Sequence, residues 1–293
     1  MASSDAPKLE RPFPALTPAQ RLHYEVYGYV VIENTLSGDL VKRLYDAVQQ
    51  VKGELLATDD PLTAVVRGVR TGGSRPPLLL MSHMVESDPV WLEYLAHRRL
   101  LGMVEEIVGG TVRLEESEAI VNRRDPEESL DDEPRYRFHT GTRPPHGIYA
   151  VNGLMHCNFV KTLTNLTDLG PDDGGTVVIA GSHKVDCPVG QIIECAYEDR
   201  SLIHQVVAPA GSTLLFNEAL IHATGQLRSD RERVIVVGGY TPTMFQAWKG
   251  QEPSAEFVAT LPEHLKPLIT GSDRWRWEQR HRTLDMPVDD GAY

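Results

Sequence analysis

Cysteine is scarce in this 293-residue chain: Cys157, Cys187 and Cys195 are the whole complement. An odd, scattered set with no paired spacing argues against a disulfide framework and against a zinc knuckle, and a reducing cytoplasm is the expected compartment. No run approaches the roughly 18 apolar residues that a membrane span requires, so no membrane partner is expected. The polar, proline-rich opening MASSDAPKLERPFPALTP lacks the apolar stretch of a signal peptide. Positive charge is short as well, with 29 Lys and Arg against 41 Asp and Glu and a formal net charge of −12. That deficit argues against a nucleic-acid polymer as partner, because such binding rests on clustered Lys and Arg. It leaves room for a small anionic ligand held by one or two buried arginines.

What is present divides into two textures. Residues 1–16 read as a mobile arm. Thr17 then caps a helix that opens on Pro18 and closes at Gly28, and the β-rich YVVIEN follows. In SGDLVKRLYDAVQQVKGELL the apolar residues Leu40, Val41, Leu44, Ala47, Val48 and Val51 recur at helical spacing. SDPVWLEYLAHRRLLGMVEEIVGG predicts one or two further amphipathic helices closed by Gly109 and Gly110. Residues 17–110 are thus expected to be mostly helical. From about 111 to 243 the chain becomes a series of short β-branched runs separated by Gly, Pro and Asp, the punctuation of a β-sandwich or barrel. Residues 244–293 form a C-terminal extension whose WRWEQRHRTL is helix-like or irregular. One domain over 17–293, with helices packed outside a β-sandwich, fits best.

The chemistry concentrates in LLFNEALIHATGQLRSDRERVIVVGGY. A strand delivers His222, a polar loop follows, and a second strand starts near Arg233. A histidine pointing into a β-sandwich beside an arginine on the next strand suits a metal with a bound dicarboxylate: the imidazole takes Fe(II) and the guanidinium forks onto the distal carboxylate.

Three blocks in order extend this. LTDLGPDDGGTVVIAGSHK (166–184), HATGQLRSDRERVIVVGGY and the opening LTPAQRLHYEVYGYVVIENTLSGDLVKRL resemble the phytanoyl-CoA dioxygenase family, over roughly residues 16–243. The resemblance implies a double-stranded β-helix, or jelly roll, that binds Fe(II) and 2-oxoglutarate and uses dioxygen as co-substrate. It implies His139 and His222 as iron ligands, Arg233 as the partner of the 2-oxoglutarate C5 carboxylate, and Thr224 as a hydroxyl assisting it. His183, in the GSHK segment, is implied to be structural.

The family's third ligand, an aspartate two residues after the first histidine, falls on Gly141 in RYRFHTGTRPPHG. His156 and His146 offer no carboxylate at that spacing either. His-x-Gly resembles the pattern of iron/2-oxoglutarate aliphatic halogenases, in which chloride takes the place of the carboxylate. By that resemblance the chain is a halogenase that chlorinates an unactivated C–H bond of a small natural-product intermediate. Two alternatives stay open. One is a hydroxylase or dioxygenase whose missing ligand is water or a carboxylate from elsewhere, with Asp131, Asp132 and Glu133 just upstream. The other is a non-catalytic binding module, which retention of His222 and Arg233 disfavours. The segment between Arg143 and Asn158 is expected at the pocket mouth, with Arg143, His146, Tyr149, His156 and Asn158 as substrate contacts. Arg123, Arg124, Arg135 and Arg137 suggest an anionic small molecule, such as a nucleotide or a carboxylate.

Overall fold

The computed structural model describes residues 11–72, 77–273 and 281–289. The arm expected over residues 1–16 is described from residue 11, and there it is packed rather than mobile. Leu16 is fully buried, and the Ala15 and Leu16 amides donate to the Glu106 carboxylate at 2.7 and 3.1 Å. The aromatic part of the tail, 274–280, lies outside the described residues, as do residues 1–10.

Local chemistry sets the first elements. Thr17 and Gln20 form a reciprocal capping box on α1 (Pro18–Tyr27), and Gly28 ends it with φ 81°. After β1 (Tyr29–Ile32), α2 (Gly38–Leu56) buries the stripe Leu40, Leu44, Ala47, Val48, Val51 and Leu55. Each fully buried Leu or Val there contributes about 1.5–3 kcal/mol. The stretch up to residue 110 is less helical than its sequence suggests. Three short strands, β2 (Val65–Val66), β3 (Val69–Arg70) and β4 (Leu78–Ser82), precede α3 (Pro89–Leu95) and α4 (Arg98–Val108). The β4 strand pairs with the main sheet through Leu78↔Asn122 to Ser82↔Glu118. A continuous Leu-Leu-Leu-Met run carries no alternation to mark it as a strand.

The remaining elements are β5 (Val112–Asn122), α5 (Pro144–Gly147), β6 (Ile148–Val151), β7 (Leu154–Cys157), β8 (Val160–Asn165), β9 (Val177–Ile179), α6 (Val189–Glu198), β10 (Ile203–Gln205), β11 (Thr213–Asn217), β12 (His222–Ala223), β13 (Arg233–Pro242), α7 (Ala255–Thr260) and α8 (Lys266–Thr270). Eight strands form one antiparallel sheet in the order β1-β11-β8-β13-β5-β4-β3-β2, and β10-β9-β12 form a second, smaller one. The two sheets make a jelly roll. Helices α1 to α4 cover the outer face of the large sheet through Tyr24, Leu44, Val48, Trp91, Tyr94, Leu101 and Val104. A separate core of Leu163, Val178, Phe216, Ile235 and Val237 lies between the sheets. Strand periodicity accounts for the division: in β13, Val234 and Val236 join the helical core while Ile235 and Val237 face the other way. All three cysteines are free.

Candidate active site

His139 adds one more rung to the small sheet. Its amide donates to the His222 carbonyl and accepts the return bond at its own carbonyl, both 2.9 Å. That pairing brings the two imidazole rings to 4.3 Å between centroids. The loop after His139 is stitched to the loop before His222: the Gly141 and Thr142 amides donate to the Glu218 carbonyl at 3.1 and 3.3 Å, and the Thr140 hydroxyl donates to it at 2.8 Å. His222 is buried, and its Nδ1 lies 2.8 Å from the Leu220 carbonyl. Burial and the neighbouring His139 hold its pKa well below the usual histidine range. The neutral ring therefore donates from Nδ1 and keeps its lone pair on Nε2.

Between the sheets lies a cavity of about 320 Å³. His139, His222, Ala223 and Thr224 line it from the small sheet and its flanks, and Glu116, Glu118, Lys161, Phe216 and Arg233 line it from the large one. Arg233 is 2% exposed. Its Nη2 reaches the Thr176 hydroxyl at 3.2 Å, whereas Nε and Nη1 are buried with no hydrogen-bond partner. Burial lowers its pKa to about 10. A buried guanidinium with two unmatched donors is costly by itself and is built to receive a carboxylate.

The residues that sequence reasoning missed are acidic. Glu116 and Glu118 stand two apart on β5, and Lys161 projects from β8 to 3.0 Å from Glu116 and 3.3 Å from Glu218. Burial raises the Glu218 carboxyl to about 7 despite the opposing pull of Lys161. Burial, with Glu116 close by, raises Glu118 too. A sequence signal existed for the β5 pair, since Glu116, Glu118 and Ile120 alternate along one face of a strand. None existed for Glu218, whose place depends on a loop crossing Gly141.

The expected substrate contacts lie elsewhere. Tyr149 donates to the Val108 carbonyl and stacks on His156, with ring centroids 5.4 Å apart. His156 is buried with Nδ1 3.1 Å from the Ile107 carbonyl, and burial lowers its pKa to about 4. Asn158 donates to the His146 carbonyl at 2.7 Å, and Arg143 is taken by the Cys187 carbonyl and Asp186. None of these five residues lines the cavity that holds both histidines. The segment folds as α5 and the β6–β7 hairpin, and His156 and Tyr149 on that hairpin pack onto the end of α4. Arg123, Arg135 and Arg137 do line an adjoining outer chamber with His139, but Asp125 and Glu128 line it too. Arg124 pairs with Asp230 at 3.1 Å. Among the described residues, no three His, Cys, Asp or Glu side chains already converge closely enough to hold a metal ion.

A jelly roll with paired histidines and an unmatched buried arginine between its sheets is the framework of an iron- and 2-oxoglutarate-dependent oxygenase. Residues 24–235 match the phytanoyl-CoA dioxygenase (PhyH) family, and the chain belongs to it. It is an oxidoreductase of that class. Two uncharacterized proteins, from Mycobacterium bovis and Mycobacterium tuberculosis, are each 24% identical over 221 residues, spanning 75% of this chain and 73% of theirs. Among solved structures, HygX from Streptomyces hygroscopicus with nickel and 2-oxoglutarate bound superposes with a TM-score of 0.62 at 22% identity, covering 80% of this chain and 90% of HygX. EctD from S. alaskensis with bound Fe gives 0.60 at 18% identity, covering 83% of each chain. These likenesses are of fold. Among the described residues no helix is long and apolar enough to cross a membrane.

Proposed function

We propose that this chain is an Fe(II)- and 2-oxoglutarate-dependent hydroxylase or related dioxygenase of a small molecule, and that it transfers oxygen rather than chlorine. His139 and His222 would hold the iron. Arg233, with Thr176 and Thr224 beside it, would clamp the distal carboxylate of 2-oxoglutarate. Bound together, iron, 2-oxoglutarate and dioxygen supply oxidation of an unactivated C–H bond, with 2-oxoglutarate leaving as succinate and carbon dioxide.

The observation that carries this over halogenation is the space beside Gly141. A halogenase needs that space open to chloride. Here the Glu218 side chain fills it: an ideal Cβ on Gly141 would lie 2.4 Å from Glu218 Oε1. Glu116 and Glu118 stand in the same cavity with Lys161, and Arg233 is the co-substrate's partner, so a halide would enter beside two carboxyl groups. The same carboxyl groups disfavour the anionic substrate expected from the sequence and favour one carrying hydroxyl or amino groups. HygX, a neighbour in fold, has been crystallised with hygromycin B bound, which is in keeping with a small-molecule substrate.

The test is anaerobic loading with Fe(II) and 2-oxoglutarate, followed by dioxygen, with chloride varied from none to saturating. Succinate should form in an iron-dependent way, incorporate one atom of labelled dioxygen, and show no dependence on chloride. Turnover that requires chloride would restore the halogenase reading. The absence of any succinate with a fully loaded protein would favour the binding module.

A further inference from the structure

We propose that Glu218 supplies the carboxylate that Gly141 lacks, so that the metal is held by His139, His222 and Glu218. The proposal rests on the iron and 2-oxoglutarate reading above and adds to it a ligand from a different part of the chain.

Four observations lead there. First, Glu218 is tied to the backbone that carries His139: its carbonyl accepts from the Gly141 and Thr142 amides and from the Thr140 hydroxyl. Its place relative to the two histidines is therefore set by the same rungs that set theirs. Second, its side chain runs through the volume that a side chain at 141 would need. The ideal Cβ at Gly141 falls 2.4 Å from Oε1, 2.6 Å from Cγ and 2.9 Å from Cδ of Glu218. Real Cβ contacts are not that close, so Glu218 in this position and any residue other than glycine at 141 exclude one another. The glycine is then the complement of the glutamate rather than an empty coordination position. Third, Glu218 is 2% exposed and its Oε2 is buried with no hydrogen-bond partner, while Oε1 faces Lys161 at 3.3 Å. A buried carboxylate with an unmatched oxygen is costly unless a cation or donor arrives. Fourth, the other carboxylates are placed less well. Asp131, Asp132 and Glu133 are exposed, with Glu133 on Arg200. Glu116 and Glu118 line the cavity from the large sheet, across from the histidine rung, with Glu116 beside Lys161 and Glu118 accepting from the Ser82 hydroxyl at 3.2 Å.

Glutamate is one methylene longer than aspartate, and it enters from the loop before the second histidine instead of two residues after the first. The extra reach and the different origin offset each other, because the 139–142 and 218–222 segments are bonded side by side. Two imidazoles and one carboxylate form the facial set that Fe(II) oxygenases use. Among the described residues the three side chains do not converge as they stand, so the assignment requires Glu218 to turn about its side-chain torsions, away from Lys161, when a metal is bound.

Metal affinity tests this without turnover. The full chain, stripped with chelator, is titrated with Ni(II) or Co(II) in the presence of 2-oxoglutarate. Glu218→Gln should weaken binding by more than the roughly 10–100-fold that loss of a merely orienting partner costs. Lys161→Met removes the ion pair but keeps the carboxylate, and should leave affinity undiminished. Gly141→Asp combined with Glu218→Ala should recover binding that Glu218→Ala alone loses. Glu218→Gln that is folded and binds metal like the wild type overturns the proposal, and so does equal weakening by Lys161→Met. A crystal structure of the wild-type chain with Ni(II) and 2-oxoglutarate needs no variant: Glu218 in the coordination sphere supports the assignment, and water or chloride there with Glu218 still on Lys161 overturns it. Iron-dependent succinate formation by the wild type together with an unaffected Glu218→Gln sinks this inference alone. A wild type that binds neither metal nor 2-oxoglutarate sinks the functional reading with it.

Discussion

At the scale of single residues, Arg233 is a buried cation whose hydrogen bonding is left incomplete without a ligand. Two of its donors are buried with no partner, and only Nη2 is engaged, by Thr176. Arg233→Ala should therefore act mainly on co-substrate affinity. Removing one member of a desolvated charged pair costs about 2–5 kcal/mol, or roughly 30- to several-thousand-fold in the dissociation constant. Calorimetric titration of the metal-loaded chain with 2-oxoglutarate measures this directly. An Arg233→Ala variant that still binds 2-oxoglutarate within a few-fold of wild type would show that another cation clamps it. Arg233→Lys should recover little, because an ammonium cannot supply the forked pair of bonds.

At the scale of elements, the small sheet depends on close backbone approach in the DDGG turn. A Cβ on Gly175 would lie 1.9 Å from the Val206 carbonyl oxygen, and one on Gly225 would lie 2.3 Å from the Gly175 carbonyl oxygen. Both contacts are backbone, so neither can yield by rotating a side chain. Gly175→Ala should destabilise the fold by about 3 kcal/mol or more, the upper range for overpacking. Gly190, in the first turn of α6, has nothing within 4 Å of its Cβ position. Gly190→Ala should be neutral or slightly stabilising, since alanine loses less backbone entropy in a helix. Denaturant melts of the two variants provide the comparison. Equal midpoints would mean that the turn relaxes around the added methyl. The GSHK block behaves as a structural device of the same kind: His183 is fully buried, and a Cβ on Gly28 would lie 2.3 Å from its Nδ1.

At the scale of the whole molecule, buried neutral histidines make the protein acid-sensitive. Burial lowers His156 and His183 to about 4, against about 6.5 in an unfolded chain. Between those values the unfolded state binds more protons, so the stability these groups contribute is complete above pH 6.5 and is lost as pH falls through 4. Each accounts for on the order of 3 kcal/mol over that window. Glu218 acts in the opposite sense: its pKa is raised to about 7, so its contribution in the metal-free protein declines as pH rises from the usual carboxylate range towards neutrality. Metal-free stability should therefore peak at mildly acidic pH and fall on both sides. Thermal melts from pH 4 to 8 test this, with His156→Gln expected to flatten the acid limb. An acid limb unchanged in that variant would assign the loss to other groups.

The sequence by itself determined the helix start at Thr17, the α2 stripe, the β-rich half of the chain and its family, because these depend on capping, periodicity and turn chemistry within a few residues of one another. It also singled out His139, His222, Thr224 and Arg233, which the folded chain brings to one cavity. The strand at Leu78–Ser82 was not legible, since a short continuous apolar run has no period of its own. The place of the segment from Arg143 to Asn158 was decided by packing against α4, through contacts that join residues some 40–50 positions apart. The meaning of Gly141 was decided only in three dimensions. In the chain it reads as a missing carboxylate; in the fold, the antiparallel rungs between His139 and His222 bring Glu218, 77 residues further on, into the volume that the glycine leaves open. Sequence spacing records what a residue lacks, and only strand pairing decides which distant side chain fills the space.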